Sequence, residues 1–559
     1  GLSYRVSENL IIILPASQKD IPSNKKSLIK GVVKDANGDP IIGANITVEG
    51  QSIGTITDMD GQFTLEASAD AVLHVSYIGY MSQNIHAKEG QDLNIIMKDD
   101  TRALDEVVVL AYGTQTKRNV TGSLETVDFD KLGDIPGAQF AQKLQGQISG
   151  VQINQGTGTP GQGMNIRIRG AASLSTDSSP LYVVDGFPIV GNINNLNPNE
   201  IESMTVLKDA AATALYGSRA AFGVVLITTK TAKTGKTNVS FNGYWGVQVV
   251  PEKGRPDMMN GTEWAQFRKE HYEDLGEPVP TAFQNPSQYG KGYSWYDTML
   301  RNALIQDYNV SIQSGSEKLK NSIVVGYFNQ DGVVLNSDYR RISLRANSLY
   351  QINPRLKAAL NVAPTYSFEN RPLSDGSFFG GGGLLANANL TPPILPYMDE
   401  NGNMPVSVTT EGVTMNPMPN WVRSIQDTSN EYKTLRLLAS AYIEFEPIKN
   451  LFLKTSISTD LGYENRHYFQ PSTAGRAFNV EPSALNANLR EEDSNYYSYL
   501  SETTASYSVD WGDHHLDALV GFTVQKYHSQ LGVVTGSNYA DDRIQTIDAA
   551  LVKNNPTMD

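Results

Sequence analysis

Residues that could carry out catalysis are few in this sequence of 559 residues. The sequence contains no cysteine, which removes thiolate nucleophiles and cysteine-ligated metal sites. His514 and His515 are adjacent, but they lack the i, i+4 spacing and the neighbouring glutamate of a zinc-binding helix. A Gly-x-Ser-x-Gly motif, which would present a serine nucleophile, is absent. These residue types and spacings predict that the protein is not an enzyme.

Aspartates in turns are the candidates for calcium binding. The motif Asp58-x-Asp60-Gly61 matches the start of a calcium loop, but strand-forming residues follow at 63–65, where such a loop needs further oxygen ligands. We therefore predict a hairpin turn at this motif. The weaker candidates, which we predict to be solvated turns, are Asp399, Asp541 and Asp542. No metal site or other cofactor is predicted, and calcium in a loop or in a partner protein is left open.

Two binding functions are disfavoured by composition and spacing. A glycine-rich segment over 156–163 has no Lys-Ser/Thr after it and no helix-opening pattern, so it does not predict nucleotide binding. The net charge of −14 argues against a nucleic-acid partner, which requires a basic face.

The elements that must position any functional residue are mainly β-strands. The sequence has 48 glycines and 27 tyrosines, which is typical of a turn-rich, aromatic β protein. A run of about 18 apolar residues is absent, so the sequence predicts no transmembrane helix. Transmembrane barrels cross with strands of alternating polarity instead.

Residues 237–559 carry that alternation. Nine segments place apolar and polar side chains on opposite faces, near residues 238–250, 304–312, 319–330, 340–350, 356–368, 435–445, 449–463, 497–511 and 514–527. The connections alternate between short turns, as at 353–354, and long loops, as at 370–430. Up-and-down transmembrane barrels have short periplasmic turns and longer extracellular loops. The pattern therefore predicts part of an antiparallel transmembrane β-barrel.

Two smaller units precede this barrel. Residues 28–98 contain short alternating runs separated by turn signals such as Asn37-Gly38, which predicts a small immunoglobulin-like β-sandwich. Residues 119–231 mix a helical pattern over 139–147 with strand patterns such as 201–207, which predicts an α/β unit.

A linker over 99–118 separates these two units and contains Leu104–Leu110, which ends in four consecutive apolar residues. Consecutive β-forming apolar residues in a linker would aggregate unless they were buried or paired. One interpretation is a segment that adds to the exposed sheet edge of a partner protein by β-augmentation. The alternative is one more strand of the preceding sandwich.

Three regions of the sequence resemble known families. "IKGVVKDANGDPIIGANITVEG" is similar to the carboxypeptidase-regulatory-like domain of Bacteroidetes outer-membrane receptors. "DEVVVLAYGTQ" resembles the TonB box of SusC-like transporters, which implies TonB binding by Asp105, Glu106, Val107, Val108, Val109 and Leu110. "IRIRGAASL", "PLYVVDGFPI" and "LNPNEIESMTVLKDAAATALYGSRAAFGVVLITTK" resemble the SusC-type plug domain. The matching plug residues are Arg167, Arg169, Gly170, Asp185, Gly186, Lys208, Asp209, Tyr216 and Gly217.

Arg167 and Arg169 alternate with Ile166 and Ile168, so the two arginines share one face. We predict that they form ion pairs between plug and barrel wall; ligand binding is the alternative. The ligand-binding residues are otherwise not assigned. Five aromatic residues could stack on sugar rings or lie at the membrane interfaces: Trp295, Trp421, Tyr296, Tyr496 and Tyr497.

The resemblance implies an integral outer-membrane transporter with periplasmic N-terminal domains, in which the plug lies inside a barrel of about 22 strands. It implies import of a bulky nutrient, mainly an oligosaccharide and alternatively an oligopeptide. The implied partners are a SusD-like surface lipoprotein and TonB, energised through ExbB and ExbD. Residues 1–14 resemble the tail of a secretin/TonB short N-terminal domain, which leaves a signalling receptor as a further alternative. The abrupt ends and the strand count predict that the chain is a fragment.

Overall fold

The computed structural model describes most of the chain. The described residues are 2–7, 10–15, 26–35, 38–48, 53–68, 71–77, 80–87, 92–98, 107–110, 113–116, 124–129, 137, 139–170, 179–189, 191, 193–209, 213–374, 383–409, 413, 417–475, 481–512, 514–554 and 556–558. They form two compact units, Gly1–Thr121 and Gly122–Asp559. Each unit is described by itself.

The first unit begins with a hairpin and continues as a β-sandwich. Strands β1 (Leu2–Ser7) and β2 (Leu10–Pro15) pair antiparallel. The sandwich strands are β3 (Lys26–Lys34), β4 (Asn45–Val48), β5 (Gly54–Ile56), β6 (Gln62–Ser68), β7 (Val72–Ser76), β8 (Gln83–His86) and β9 (Leu93–Ile96). They form sheets of order β6-β3-β9 and β5-β4-β7-β8. The predicted sandwich is confirmed, and the sequence patterns had missed β5 and β8.

The core of the sandwich contains alternate residues of these strands. Val33, Ile46, Leu73 and Val75 are fully buried, because successive side chains of a strand point to opposite sides and one side faces the other sheet. At the predicted turn, Asp58 Oδ1 accepts hydrogen bonds from the backbone N–H groups of Asp60 and Gln62. The turn interpretation of this motif is therefore confirmed.

A second hairpin ends the first unit. Strands β10 (Val107–Leu110) and β11 (Gly113–Thr116) pair antiparallel, with Leu110 opposite Gly113. Among the described residues, β10 pairs with no strand of the sandwich. The alternative of one more sandwich strand is therefore not supported by the pairing.

The second unit begins with a small α/β part. Its elements are β12 (Leu124–Asp128), α1 (Phe140–Leu144), β13 (Val151–Gln155), β14 (Met164–Ile168), β15 (Leu181–Val184), β16 (Phe187–Ile189), β17 (Ile201–Leu207) and β18 (Val224–Thr229). The sheet order is β12-β17-β18-β15-β16, with only β15 and β18 parallel, and β13 and β14 form a separate hairpin. One apolar core, which includes Phe140, Ile166 and Ile201, joins α1 to both sheets.

The rest of the second unit is a large antiparallel sheet. Its long strands are β19 (Gly235–Gln248), β20 (Ala303–Gly315), β21 (Leu319–Asp331), β22 (Asp338–Asn353), β23 (Leu356–Asn370), β26 (Ser429–Ile448), β27 (Leu451–Gln470), β28 (Asn488–Trp511) and β29 (His514–Tyr539). They pair in chain order, and the short β30 (Ala550–Lys553) and β31 (Thr557–Met558) pair with β29. All nine predicted long strands are confirmed. The sheet is open, with β19 at one edge.

The short and the long connections of the large sheet lie at opposite ends of the sheet. One end has short turns, such as 354–355 and 449–450, and the other has the long connections 249–302 and 371–428. The long connections contain α2 (Gly261–Leu275), α3 (Thr281–Gln284), α4 (Trp295–Thr298), α5 (Leu384–Leu390), α6 (Trp421–Asp427) and the paired β24 (Ser407–Val408) and β25 (Met418–Pro419). These elements pack around apolar cores of their own. The long connections therefore form a folded loop layer at one end of the sheet.

Among the described residues, no helix has both the length and the apolar character needed to cross a membrane.

Candidate functional site

The two faces of the large sheet differ in polarity, and β22 shows the difference most clearly. On one face Arg341, Ser343 and Arg345 are 1–3% exposed. On the other face Ile342 and Leu344 are 54% and 39% exposed. This arrangement is the reverse of a water-soluble sheet, which buries apolar residues and exposes polar ones. It matches a transmembrane barrel, whose outward face contacts lipid and whose inward face is polar.

Aromatic and aliphatic residues continue the outward face across neighbouring strands. Tyr308 lies opposite Tyr327, which lies opposite Ile342, and the row continues to the β27 strand. The members of this outward row are Tyr308, Tyr327, Ile342, Tyr366, Leu435 and Tyr463, and all of them are exposed. Tyrosine rings are favoured where hydrocarbon meets water, because the ring is apolar and the hydroxyl is polar.

The α/β part lies against the inward face, and an ion pair joins them. Arg345 Nε of β22 donates to Glu200 Oε2 at 2.8 Å, and its Nη1 lies 3.6 Å from Asp185 Oδ2. The side chains of Arg345 and Glu200 are 4% and 2% exposed. A buried guanidinium beside two carboxylates fixes the position of the α/β part, because moving either partner away would leave a charge buried without its counter-ion.

Amide side chains add hydrogen bonds across the same contact. Asn197 Nδ2 of the α/β part donates to Asn309 Oδ1 at 2.8 Å and to Ser343 Oγ at 3.0 Å, both on the sheet. Asn347 Nδ2 of the sheet donates to Thr229 Oγ1 and to the Lys230 carbonyl. These contacts are polar and buried, so directional bonds add to the apolar contact that Leu500 and Leu438 of the sheet make with the core of the α/β part.

Gly326 of β21 makes the approach at Asn197 possible. A Cβ atom at this position would lie 2.2 Å from Asn197 Nδ2 and 2.6 Å from Asn309 Oδ1. The absence of a side chain therefore leaves room for the hydrogen bonds that cross the contact.

The predicted plug residues Asp185 and Gly186 form the turn between β15 and β16. Val184 lies opposite Phe187, so the loop has two residues, with φ of 49° and 87°. Positive φ at both positions is the signature of the tight turn that Asp-Gly favours. The Asp185 carboxylate accepts hydrogen bonds from the backbone N–H and the hydroxyl of Thr229. The turn thereby presents Asp185 to Arg345.

Lys208 holds three segments of the α/β part together. Its ammonium donates to Glu125 Oε2 at 2.6 Å and to the Ser149 carbonyl at 2.5 Å. The hydrogen bond from Lys208, with a smaller contribution from Ser149, lowers the pKa of Glu125 from its usual range. Lys208 therefore stabilises the α/β part by joining its segments through these contacts.

This ion pair predicts a pH-dependent stability. Because the pKa of Glu125 is lower in the folded state, the pair stabilises the fold above the unfolded-state pKa of about 4.3, and the gain is lost as pH falls through the folded-state pKa. Glu125→Gln should lower the free energy of unfolding at neutral pH by less than about 1 kcal/mol, since Glu125 is 35% exposed. Thermal unfolding at about pH 7 and about pH 3.5 measures the difference in stability between the native protein and Glu125→Gln. An equal difference at both pH values would contradict the prediction.

The remaining predicted plug residues take no part in the Arg345 ion pair with the sheet. Arg167 and Arg169 are exposed, and neither forms an ion pair with another described residue. The predicted ion pairs between these arginines and the wall are therefore not found in the described part of the chain, where the sheet supplies the arginine and the α/β part the carboxylates. The alternation itself is confirmed, because Ile166 and Ile168 are buried.

The other residues of the motif have backbone roles. Gly170 has φ of 93° after Arg169 at 58°, which makes a left-handed turn at the end of β14. Gly217, with φ of 67°, breaks the 3₁₀ segment Ala214–Ala220 beside the buried Tyr216. Asp209 accepts a hydrogen bond from the Thr213 N–H through its carbonyl. Asp105 and Glu106 of the TonB-binding prediction lie outside the described residues, and Val107, Val108, Val109 and Leu110 form β10.

Most of the aromatic candidates have structural positions. Trp295 and Trp421 are buried in the loop layer, where their indole N–H groups donate to the Leu395 carbonyl and to Thr391 Oγ1. Tyr497 lies on the outward face beside Tyr499. Tyr496 lies on the inward face, and its hydroxyl donates to Asp460 Oδ1 at 3.4 Å. Tyr296, in α4, is partly buried.

Glu200, Asn197 and Arg345 were not singled out from the sequence, although they make the central contact. Glu200 lies within a quoted plug stretch, and the polar face of β22 was readable from its alternation. Which polar residues meet depends on pairing between segments that are far apart in the chain.

Comparisons with known proteins agree with this architecture. The CarboxypepD_reg-like domain model matches residues 29–109, and the TonB-dependent Receptor Plug Domain model matches residues 116–224. A TonB-dependent receptor of Formosa agariphila is 33% identical over 512 residues, which cover 90% of this chain and 49% of that protein. TonB-dependent receptor SusC of Bacteroides thetaiotaomicron is 38% identical over 366 residues, which cover 63% of this chain and 35% of SusC.

The chain belongs to the SusC-like TonB-dependent receptors. This SusC-like chain spans about half the length, or less, of the curated relatives it matches. The α/β part is accordingly called the plug from here on, and the large sheet is the barrel wall. The relatives are outer-membrane receptors rather than enzymes, which confirms the predicted location in the outer membrane and the prediction that the chain is not an enzyme.

Solved structures show the same fold. The structure titled the RagAB peptide importer in the 'open-open' state matches this SusC-like chain with a TM-score of 0.69 at 25% identity, and the match covers 81% of this chain and 53% of that one. The plug and the barrel wall are therefore arranged as in a known transporter structure.

Proposed function

We propose that the complete protein imports a bulky nutrient across the bacterial outer membrane, driven through TonB. The observation that carries this proposal is the plug, which is bound by buried polar contacts to the inward face of a wall whose outward face is apolar. A large ligand can pass such a wall only if part of the plug moves. The outer membrane has no ATP, so the work must come from the inner membrane through a partner protein.

The proposed contact for TonB is Asp105–Leu110. Its described part, β10, pairs only with β11 among the described residues, so one strand edge is open to another strand. A partner strand could add to this edge by β-augmentation, in which main-chain hydrogen bonds supply the attachment. Force applied along that strand, generated by ExbB and ExbD, would be transmitted to the plug, which begins shortly after β11.

An oligosaccharide is the proposed substrate and an oligopeptide is the alternative. The family resemblance favours the first, because SusC-like substrates are mainly oligosaccharides. The second is favoured by the matched structures, which are titled a peptide importer and a peptide transporter. A SusD-like surface lipoprotein is the proposed partner at the mouth, where the folded loop layer of the long connections offers a rigid surface.

Deleting Asp105–Leu110 from the full-length protein tests the energised mechanism. We expect uptake of the nutrient to be abolished while ligand binding at the cell surface persists, because the deletion removes the TonB contact and leaves wall and loops intact. Uptake and surface binding are measured in parallel with a labelled nutrient mixture.

A control for this deletion is removal of Gln83–His86, a four-residue strand at the edge of one sandwich sheet. It should leave uptake largely intact if only the TonB contact matters. Uptake that survives deletion of Asp105–Leu110 would overturn the proposed mechanism.

A further inference from the structure

A cavity of about 400 Å³ lies beside the wall strands β27, β28 and β29, near the end that carries the loop layer. Polar residues of these strands make up most of its lining: Arg466, Tyr468, Asn488, Arg490, Thr535 and Ser537. Their pairing places them on the face that contacts the plug. Asp460 and Ser498 lie opposite each other on that face, and Tyr468 and Arg490 lie opposite each other eight residues further along both strands.

The lining of this cavity is rich in positive charge. None of the described residues that line it carries a carboxylate. Glu492, which lies just outside, accepts from both Arg466 Nη1, at 3.0 Å, and Arg490 Nε. Among the lining residues and this neighbour, two guanidinium groups thus face one carboxylate.

Arg466 is held in a fixed orientation. Its Nε donates to Asn430 Oδ1 at 2.9 Å, and its guanidinium lies over the rings of Tyr432 and Tyr468. Arg490 is freer, with 43% of its side chain exposed. A guanidinium that is already oriented loses little conformational entropy when it binds an anion.

We propose that this cavity binds an anionic oxygen group of the imported nutrient, a carboxylate or a sulfate ester. This inference rests on the proposed import function and narrows the substrate to a charged class. Guanidinium groups suit either anion because their N–H groups form parallel, charge-assisted hydrogen bonds with paired oxygens. Hydroxyl and amide groups at Thr535, Ser537 and Asn488 provide neutral partners for the rest of the ligand.

The test uses the full-length protein in cells and two nutrient pools. Partial hydrolysates of pectin and of sulfated algal polysaccharide, mixed with a casein digest, are separated by anion exchange into a neutral pool and an anionic pool. Depletion of each pool is compared between the native strain, a strain lacking the transporter, and Arg490→Gln and Arg490→Lys variants. Arg490→Gln should deplete the anionic pool about tenfold more slowly at limiting concentration. Arg490→Lys should recover part of the rate because it keeps the charge.

Lys433→Gln is the matched control, because Lys433 lies on the outward face of the neighbouring strand β26 and is 47% exposed. It should transport like the native protein. Surface labelling measures the amount of each folded variant. Amidating the carboxyl groups of the anionic pool distinguishes a carboxylate ligand from a sulfate ester ligand. Loss of uptake after amidation identifies a carboxylate, and unchanged uptake identifies a sulfate ester.

The outcomes separate this inference from the function on which it rests. Transporter-dependent depletion of the neutral pool alone, or equal depletion of the anionic pool by the native protein and Arg490→Gln, overturns the anion site and leaves import standing. If the native strain and the strain lacking the transporter deplete both pools equally, the proposed import fails together with the inference.

Discussion

Replacing Arg345 with methionine should weaken the attachment of the plug to the wall by about 3–5 kcal/mol. Glu200 is 2% exposed and would keep a buried negative charge without its cation, which is the costly way to break such a pair. The plug should then open more often. Opening can be measured as maleimide labelling of a cysteine placed at Ile193, which is buried in the plug core, because these 559 residues contain no other cysteine.

Two further variants make this prediction specific. The double variant Glu200→Leu with Arg345→Met should label more slowly than Arg345→Met alone, because the buried Glu200 charge is removed together with its cation. Asp185, the second carboxylate beside Arg345, is 18% exposed and keeps its hydrogen bonds from Thr229. Arg340→Met, on the outward face of the same strand and 55% exposed, should label like the native protein. If Arg345→Met and Arg340→Met label at the same rate, this ion pair does not hold the plug.

Replacing Trp421 with alanine should destabilise the loop layer by about 3–5 kcal/mol, because it leaves a large cavity in the layer's core. Trp421 is fully buried beside Leu395 and Met418, and the loss of its indole N–H leaves Thr391 Oγ1 without that donor. Hydrogen exchange of the α5 and α6 amides should accelerate, while exchange in the wall strands stays unchanged.

An exposed tryptophan, Trp511, provides the control for this experiment. Trp511 is the last residue of β28, at the end of the sheet that has the short turns, and it is 51% exposed. Trp511→Ala should therefore leave hydrogen exchange of the loop-layer amides unchanged. Trp421→Phe should recover much of the lost stability by refilling the core. If Trp421→Ala stops uptake without any change in exchange, Trp421 contacts the ligand directly and the structural role is wrong.

The strand pattern of the wall could be predicted from the sequence because each strand is long and has one polar and one apolar face. The segment 356–368 was predicted as a strand, and β23 runs over Leu356–Asn370. Alternation with a period of two persists over such lengths and is hard to mistake for a helix. Short strands such as Gly54–Ile56 and Phe187–Ile189 gave no comparable signal, because three residues cannot establish a period.

Predictions about individual side chains depended on information that lies outside each segment. Arg167 and Arg169 were expected to meet the wall because their alternation gave them a common face, yet both are exposed. The indoles at Trp295 and Trp421 offered the same sequence signal for ligand stacking as for burial. Only the packing of α4, α5 and α6 shows that these two residues form a core.

The sequence by itself determined the mainly β architecture, the order of sandwich, plug and wall, and the family. These follow from local alternation, turn residues and contiguous motifs, because each of these signals lies within one continuous segment of the chain. The tertiary structure decided which charges meet: Glu200 and Arg345 are 145 residues apart, and their pairing depends on how the plug is seated against β22. It also decided that Arg466 and Arg490 share one cavity, because strand register, rather than sequence distance, brings side chains of neighbouring strands to the same place.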